Sequence, residues 1–136
     1  SVGYCGGKTA DPRYEEVKTG ITGHAETVRV EFDPENLSYE ELLRYFFRIH
    51  DLTTRDRQGN DVGTQYRSVI FYATEEQLRV AEKVKAAVEK SRAWRAPITT
   101  AIVPAGEFTL AEDYHQDYLG KHPGGYDCHY ERKIDF

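Results

Sequence analysis

Five side chains of the sequence are candidates for chemistry. They are the thiol of Cys128, the carboxyl groups of Glu26 and Asp61, and the phenols of Tyr14 and Tyr66. Glu26 opens the alternating run ETVRVEF at 26–32, which predicts a strand with Val28, Val30 and Phe32 on its face. If that is the core face, desolvation raises the pKa of the Glu26 carboxyl group and makes it a proton donor. The alternative is that Glu26 lies just before the strand and faces water.

Asp61 and Tyr66 flank Gly63 where the polar loop RQGNDVGTQYRS (57–68) enters an apolar strand. One interpretation is a hydrogen-bonded turn in which Asp61 caps backbone amides. The crowding of polar groups, more than a plain hairpin needs, also favours a pocket for one small polar group. Tyr14 lies in a loop rich in glycine and proline. Taken alone, it is expected to be an aromatic residue that packs against its neighbours.

Cys128 lies in HPGGYDCHY, between a glycine pair and His129. An accessible thiol in such a segment suits redox chemistry, and a nearby imidazolium favours the thiolate. The alternative is an inert, buried cysteine. Cys5, in GYCGG, is either structural or the second member of a pair.

Several site types are not indicated. The five histidines form no H-x-x-x-H or H-E-x-x-H pattern and no C-x-x-C occurs, so we expect no metal site. A net charge of −5 argues against nucleic acid as a partner. No apolar run approaches the roughly 20 residues of a membrane-spanning helix, so we expect no membrane partner. Two cysteines in 136 residues favour a cytoplasmic setting over a secreted disulfide scaffold.

The elements that must position these residues follow from pattern. Residues 1–25 read as loop. Capping boxes at Ser38 and Thr74 predict helices over about 39–50 and 74–90. Strands are predicted at 66–72 and 98–104. A short helix is predicted near 111–119, followed by an irregular tail. Apolar groups on both faces of 66–72 suggest a central strand. We therefore expect one α+β domain over 1–136, a two-layer sandwich of a mixed sheet with helices packed on it.

The segments VGYCGG, DPRYEEV, TGHAETVRVEFDP, RQGNDVGTQYRS and AEDYHQDYL…HPGGY, in this order, resemble the peptide methionine sulfoxide reductase A family over nearly the whole chain. The resemblance implies reduction of methionine-S-sulfoxide, protein-bound or free, by thiol chemistry. It implies no cofactor beyond thioredoxin or another thiol as reductant. It also implies that Tyr14, Asp61 and Tyr66 bind the sulfoxide oxygen, that Glu26 is the acid, and that Cys128 resolves the oxidised nucleophile.

The sequence departs from the family in one motif. The family nucleophile lies in GCFWG, upstream of the position that Val2 matches, and this chain begins after it. The expectation is therefore that residues 1–136 alone are inactive and lack an N-terminal segment. One alternative is a catalytically dead relative that binds oxidised methionine or acts as a partner protein. In another, Cys5 and Cys128 form a structural or regulatory disulfide.

Overall fold

The computed structural model describes residues 1–127 and 129–136. The predicted α+β class is confirmed, since helices pack beside strands that pair in both antiparallel and parallel fashion. Among the described residues, the strands form three small sheets. Cys128 lies outside the described residues. No helix among the described residues is both long enough and apolar enough to cross a bilayer.

The first sheet is antiparallel and has β1 (Val2–Cys5) between β2 (Ala25–Val28) and β7 (Thr109–Leu110). The prediction that residues 1–25 are loop is wrong for β1 and for the short helix α1 (Tyr14–Val17). The prediction counted Gly3 as a loop residue, because glycine commonly marks a turn. Here a Cβ on Gly3 would lie 2.2 Å from the Thr109 carbonyl oxygen, so glycine is needed for close approach of β7.

Strand β2 is shorter and more exposed than its alternation predicted. It ends at Val28, and Val28 and Val30 are 66% and 47% exposed. The condition that this face is the core face therefore does not hold at Val28 and Val30. Within the described residues, β2 is an edge strand that pairs with β1 alone. Phe32 is half-buried and stacks on Tyr39 with ring centroids 6.2 Å apart.

The main core lies between two helices and a parallel strand pair. Helix α2 (Tyr39–Ile49) and helix α3 (Glu75–Ser91) begin as predicted, with the Ser38 and Thr74 hydroxyls each accepting a backbone N–H at 3.1 Å. Strand β5 (Val69–Tyr72) pairs in parallel with β6 (Ala101–Pro104), and α3 connects the two strands. The core is built by Leu43, Phe47, Leu52, Ile70, Ala81, Val84 and Val88.

The polar loop before β5 is more structured than predicted. It contains the short hairpin of β3 (Arg57–Gln58) and β4 (Asp61–Val62), followed by a 3-10 turn at Thr64–Tyr66. The predicted strand 66–72 therefore begins only at Val69. It is not central within the described part of the chain, where β5 pairs with β6 alone.

The predicted helix at 111–119 is also wrong. A 3-10 turn at Asp113–His115 and the short helix α4 (Tyr118–Lys121) take its place. Asp117 between them adopts a left-handed conformation with φ of 51°, which interrupts any continuous helix. Beyond α4 the described residues of the tail are irregular, as predicted, but the end is anchored: the Arg132 backbone N–H donates to the Arg48 carbonyl at 2.9 Å. Phe136 lies against the core, with the Arg48 guanidinium 4.5 Å from its ring centroid.

Candidate active site

The fold brings together four of the five predicted site residues. Glu26 lies in β2, Asp61 in β4, Tyr66 at the end of the 3-10 turn, and Tyr14 at the start of α1. The 3-10 turn packs beside β2. Burial raises the pKa of Tyr66, and the proximity of Glu26, Asp61 and Tyr14 raises it further. Tyr66 therefore remains a protonated hydrogen-bond donor near neutral pH.

Glu26 has the electrostatics of an acid. Its side chain is largely exposed, yet protein surrounds enough of its carboxyl group that desolvation raises its pKa to about 6. The negative charge of Asp61 adds to the rise. The raised pKa agrees with the sequence prediction. Glu26 shares its sheet face with its register partner Tyr4, which is buried, whereas Val28 and Val30 further along β2 are exposed. Glu26 belongs to the strand, so the alternative placement before it is wrong, although its side chain is exposed as that alternative expected.

The 3-10 turn that ends in Tyr66 is held by its preceding residues. Gln65 is buried, and its Nε2 donates to the Lys18 carbonyl at 2.9 Å, which joins the turn to the end of α1. Gly63 has φ of 149°, and a Cβ there would lie 2.2 Å from Gln65 Oε1. The positive φ is what favours glycine here, and a larger residue would also displace the Gln65 amide.

The start of β2 is fixed by His24, which is buried. Its Nδ1 accepts the Gly7 backbone N–H at 3.0 Å, so its Nε2 carries the hydrogen and donates to the Thr9 carbonyl at 2.7 Å. This residue of the TGHAE segment thus holds the loop after β1 against the strand that carries Glu26.

Tyr14 lies in a polar aromatic cluster. Its ring centroid is 4.3 Å from that of His115 and 6.4 Å from that of Tyr114. Its backbone N–H donates to Glu112 Oε2 at 3.1 Å. On the other side of that carboxylate, Tyr4 donates from its hydroxyl to Oε1 at 3.0 Å. The prediction of Tyr14 as a packing aromatic is therefore correct but incomplete.

A tetrad of Glu26, Asp61, Tyr66 and Tyr14 thus combines one acid of raised pKa with phenol donors. Such groups suit binding and protonation of a small polar oxygen. The groove along α2 lined by Leu37, Leu42, Tyr45 and Arg48 shares no residue with the tetrad. No cluster of histidine, cysteine, aspartate and glutamate within the described residues could hold a metal ion.

The peptide methionine sulfoxide reductase family model matches residues 1–135. The chain belongs to this family. Its members are oxidoreductases that reduce a sulfoxide, and an acid with phenol donors is suited to bind and protonate the sulfoxide oxygen.

Several curated reductases of this family are similar to the chain. It is 52% identical to peptide methionine sulfoxide reductase MsrA of Nocardia farcinica over 131 residues, covering 96% of this chain and 75% of that protein. It is 58% identical to MsrA of Methanosarcina mazei over 121 residues, covering 89% of this chain and 57% of that protein. The chain thus spans between about half and three quarters of the length of these relatives.

Solved reductases share the fold. Mxr1 of Saccharomyces cerevisiae in reduced form superposes with a TM-score of 0.91 at 40% identity, covering 97% of this chain and 76% of that one. Methionine sulfoxide reductase A of Corynebacterium diphtheriae gives 0.84 at 43% identity, covering 99% and 68%. An unusual oxidised form of Mxr1 gives 0.64. The present structure is therefore closer to the reduced form of Mxr1 than to that oxidised form.

Of the two cysteines of this reductase-family chain, the structure describes only Cys5. Cys5 is free, 2% exposed and paired across the sheet with Ala25. This burial fits the structural interpretation of Cys5. The predicted role of Cys128 stays a prediction, since this residue lies outside the described part.

Sequence reasoning missed the residues that support the tetrad. Gln65, His24 and Glu112 each act through a hydrogen bond to a backbone group in another segment. Their position inside the segments that resemble the family was the available signal. Their partners could not be found from spacing, because Glu112 and Tyr14 are 98 residues apart.

Proposed function

We propose that the tetrad is the oxygen-binding and acid-catalytic site of a methionine-S-sulfoxide reductase that acts on oxidised proteins or free methionine sulfoxide. The observation that carries the proposal is the raised pKa of Glu26, about 6, beside Asp61 and the phenol of Tyr66. Family membership supplies the reaction class, and the tetrad supplies the groups that this reaction needs at the substrate oxygen.

The chemistry of a sulfoxide explains the choice of groups. When a cysteine thiolate attacks the sulfur, negative charge grows on the sulfoxide oxygen. Hydrogen bonds from Tyr14 and Tyr66 stabilise that charge, and the protonated Glu26 carboxyl gives its proton to the oxygen. One thiolate, one proton and the sulfoxide yield a sulfenic acid and a thioether. The methionine sulfur is reduced by two electrons and the cysteine sulfur is oxidised by two.

Thiol chemistry then restores the enzyme. The Cys128 thiol attacks the sulfenic sulfur, a disulfide forms and water leaves. Thioredoxin, or another thiol, reduces the disulfide by exchange, so no further cofactor is required. The free thiol of Cys5 suits a reducing, cytoplasmic setting.

The experiment is a turnover assay on the natural protein that contains residues 1–136. The natural protein is the right sample because the family nucleophile lies in a GCFWG motif and these residues contain no such motif. The substrates are the separated S and R sulfoxides of acetylated methionine amide, with dithiothreitol or a thioredoxin system. We expect the thioether product, acetylated methionine amide, from the S form alone. Equal reduction of the R form, or no reduction of the S form, would overturn the proposal.

A further inference from the structure

The Glu112 carboxylate connects its own segment to two segments near the N-terminus, about 100 residues away. It follows buried Ala111 between β7 and the 3-10 turn at Asp113–His115. Its Oε1 accepts the Tyr4 hydroxyl at 3.0 Å. Its Oε2 accepts the Tyr14 backbone N–H and the Tyr114 hydroxyl, both at 3.1 Å. One side chain thereby joins β1, the start of α1 and the AEDYHQ segment.

The charge state of Glu112 fits this arrangement. Three donors meet one side chain, and only an ionised carboxylate offers acceptors at both oxygens without a hydrogen of its own. Burial alone would raise the pKa of Glu112, but the hydrogen bonds donated to its carboxylate outweigh burial and hold the pKa below its ordinary value. The connection is therefore intact at neutral pH.

The connection matters because α1 is too short to hold Tyr14 by itself. Four residues make little more than one turn, and an isolated turn is unstable in water. Tertiary contacts must therefore fix the Tyr14 backbone. The hydrogen bond to Glu112 is one such contact, and the neighbouring His115 ring packs on the phenol.

The other end of the connection leads to the acid. Tyr4 in β1 is the register partner of Glu26 in β2, and paired residues project from the same face of a sheet. Tyr4 also lies close enough to Glu26 for the charge of Glu26 to raise the pKa of Tyr4. Glu26 is thus beside Tyr4, Tyr4 is hydrogen-bonded to Glu112, and Glu112 is hydrogen-bonded to the Tyr14 backbone. These contacts join the acid to one of the phenols proposed to bind oxygen.

We propose that Glu112 is a positioning residue that fixes Tyr14 relative to Glu26, so that the phenol and the carboxyl group converge on one substrate oxygen. The inference rests on the proposed function and adds a residue that acts through Tyr14 without touching substrate. A shift of about 1 Å in a positioned group can reduce the rate by up to about 10²-fold. Glu112 therefore controls the rate constant more than substrate affinity.

The test is a double-mutant cycle in the natural protein with Glu112→Gln and Tyr14→Phe. The measured quantities are the single-turnover rate constant for methionine formation and the half-saturating sulfoxide concentration. Glutamine keeps one acceptor oxygen but not two. We expect Glu112→Gln to lower the rate constant about tenfold when Tyr14 is present and about twofold or less in the Tyr14→Phe background. The half-saturating concentration should change less than the rate constant.

Glu16→Gln is the matched control. Glu16 Oε1 also accepts a backbone N–H next to Tyr14, that of Arg13 at 3.1 Å, but this bond stays within α1. Its replacement should leave the rate constant unchanged in both backgrounds. Equal fractional effects of Glu112→Gln with and without the Tyr14 hydroxyl would overturn the positioning role.

A second variant covers the case in which Glu112→Gln does not fold. Tyr4→Phe keeps the buried ring and removes only the hydroxyl that holds Glu112 Oε1. Its effect on the rate constant should be several-fold and should also depend on the Tyr14 hydroxyl. An independent effect, or none, would overturn the inference. If the parent protein is active and the effects are independent, this inference alone fails, whereas an inactive parent overturns the proposed function and this inference together.

Discussion

Tyr126 contacts the loop that carries Asp61: its hydroxyl oxygen accepts the Asn60 backbone N–H at 3.3 Å. Asn60 immediately precedes Asp61, and Tyr126 stands two positions before Cys128 in the sequence. The far end of the tail is tied to α2 through Arg132 and Arg48. Tyr126 and Arg132 are therefore both anchored, and the contact of Tyr126 is with the hairpin that carries Asp61.

We predict that Cys128→Ser in the natural protein keeps one round of sulfoxide reduction but loses thioredoxin-driven cycling. The first thiolate is untouched, whereas thioredoxin needs a disulfide to attack. The measurements are single-turnover methionine release, expected at about one methionine per protein if Cys128 only resolves the oxidised nucleophile, and thioredoxin-coupled turnover. The matched control is Cys5→Ala, which removes the buried thiol and should leave cycling intact. Normal thioredoxin cycling in Cys128→Ser would contradict the assignment.

We predict that Glu26→Gln lowers the rate constant of the reductive step by about 10²-fold or more, the usual contribution of a positioned acid. Substrate binding should change less, because an amide still donates to the oxygen. Glu26 is protonated below its pKa of about 6, so the rate constant of the parent should fall as pH rises through about 6. That pH dependence should be absent from Glu26→Gln when single-turnover rates are measured from pH 5 to 8. An equal loss in binding and rate would indicate a structural role.

We predict that Asp61→Asn lowers the pKa of Glu26. The negative charge of Asp61 is the second cause of the raised pKa, after desolvation, and an amide removes that charge while keeping the side-chain shape. The measurement is a 13C NMR titration of the Glu26 carboxyl carbon. Asp56→Asn, in the same loop and not among the causes of the raised pKa, is the control. A titration of Glu26 that is the same in Asp61→Asn and in the parent would show that the two carboxyl groups do not interact.

We predict that acid destabilises the fold through His50. This residue is 5% exposed, and its Nε2 lies 2.7 Å from Ser68 Oγ, which lies 2.7 Å from Thr100 Oγ1. Burial lowers the pKa of His50 to about 4. The unfolded chain gains this proton near pH 6.5 and the folded chain only near pH 4. The contribution of neutral His50 to the free energy of unfolding is thus complete above about pH 6.5 and is lost as pH falls to about 4.

The size of the His50 contribution is on the order of 3 kcal/mol, from its folded and unfolded pKa values. Urea unfolding at pH 7 and pH 4.5 measures it. His50→Gln, which cannot gain a proton, should lose less of its free energy of unfolding between these pH values than the parent. His122→Gln removes an exposed histidine and should leave the parent's pH dependence in place. The same loss in His50→Gln as in the parent would assign the acid sensitivity to other groups.

Helices α2 and α3 could be predicted from sequence, because caps and amphipathic periodicity are local signals. Ser38 and Thr74 bond backbone amides three residues away, and this spacing is visible in the chain. The polar crowding around Asp61 and Tyr66 was equally visible, and the structure places both residues near Glu26. The suspicion that Glu26 has a raised pKa also came from sequence, although Val28 and Val30, the apolar residues that suggested burial, are exposed.

Tertiary structure alone decided which groups meet. Strand β1 is too short and too rich in glycine to carry a periodic signal, and it exists because β2 and β7 pair with it on both sides. The raised pKa of Glu26 depends on desolvation and then on Asp61, which lies in the hairpin of β3 and β4. The backbone of Tyr14 depends on Glu112, 98 residues away. A sequence determines such contacts only through the folded chain, because a hydrogen bond or charge interaction acts over a few ångströms and is independent of separation along the chain.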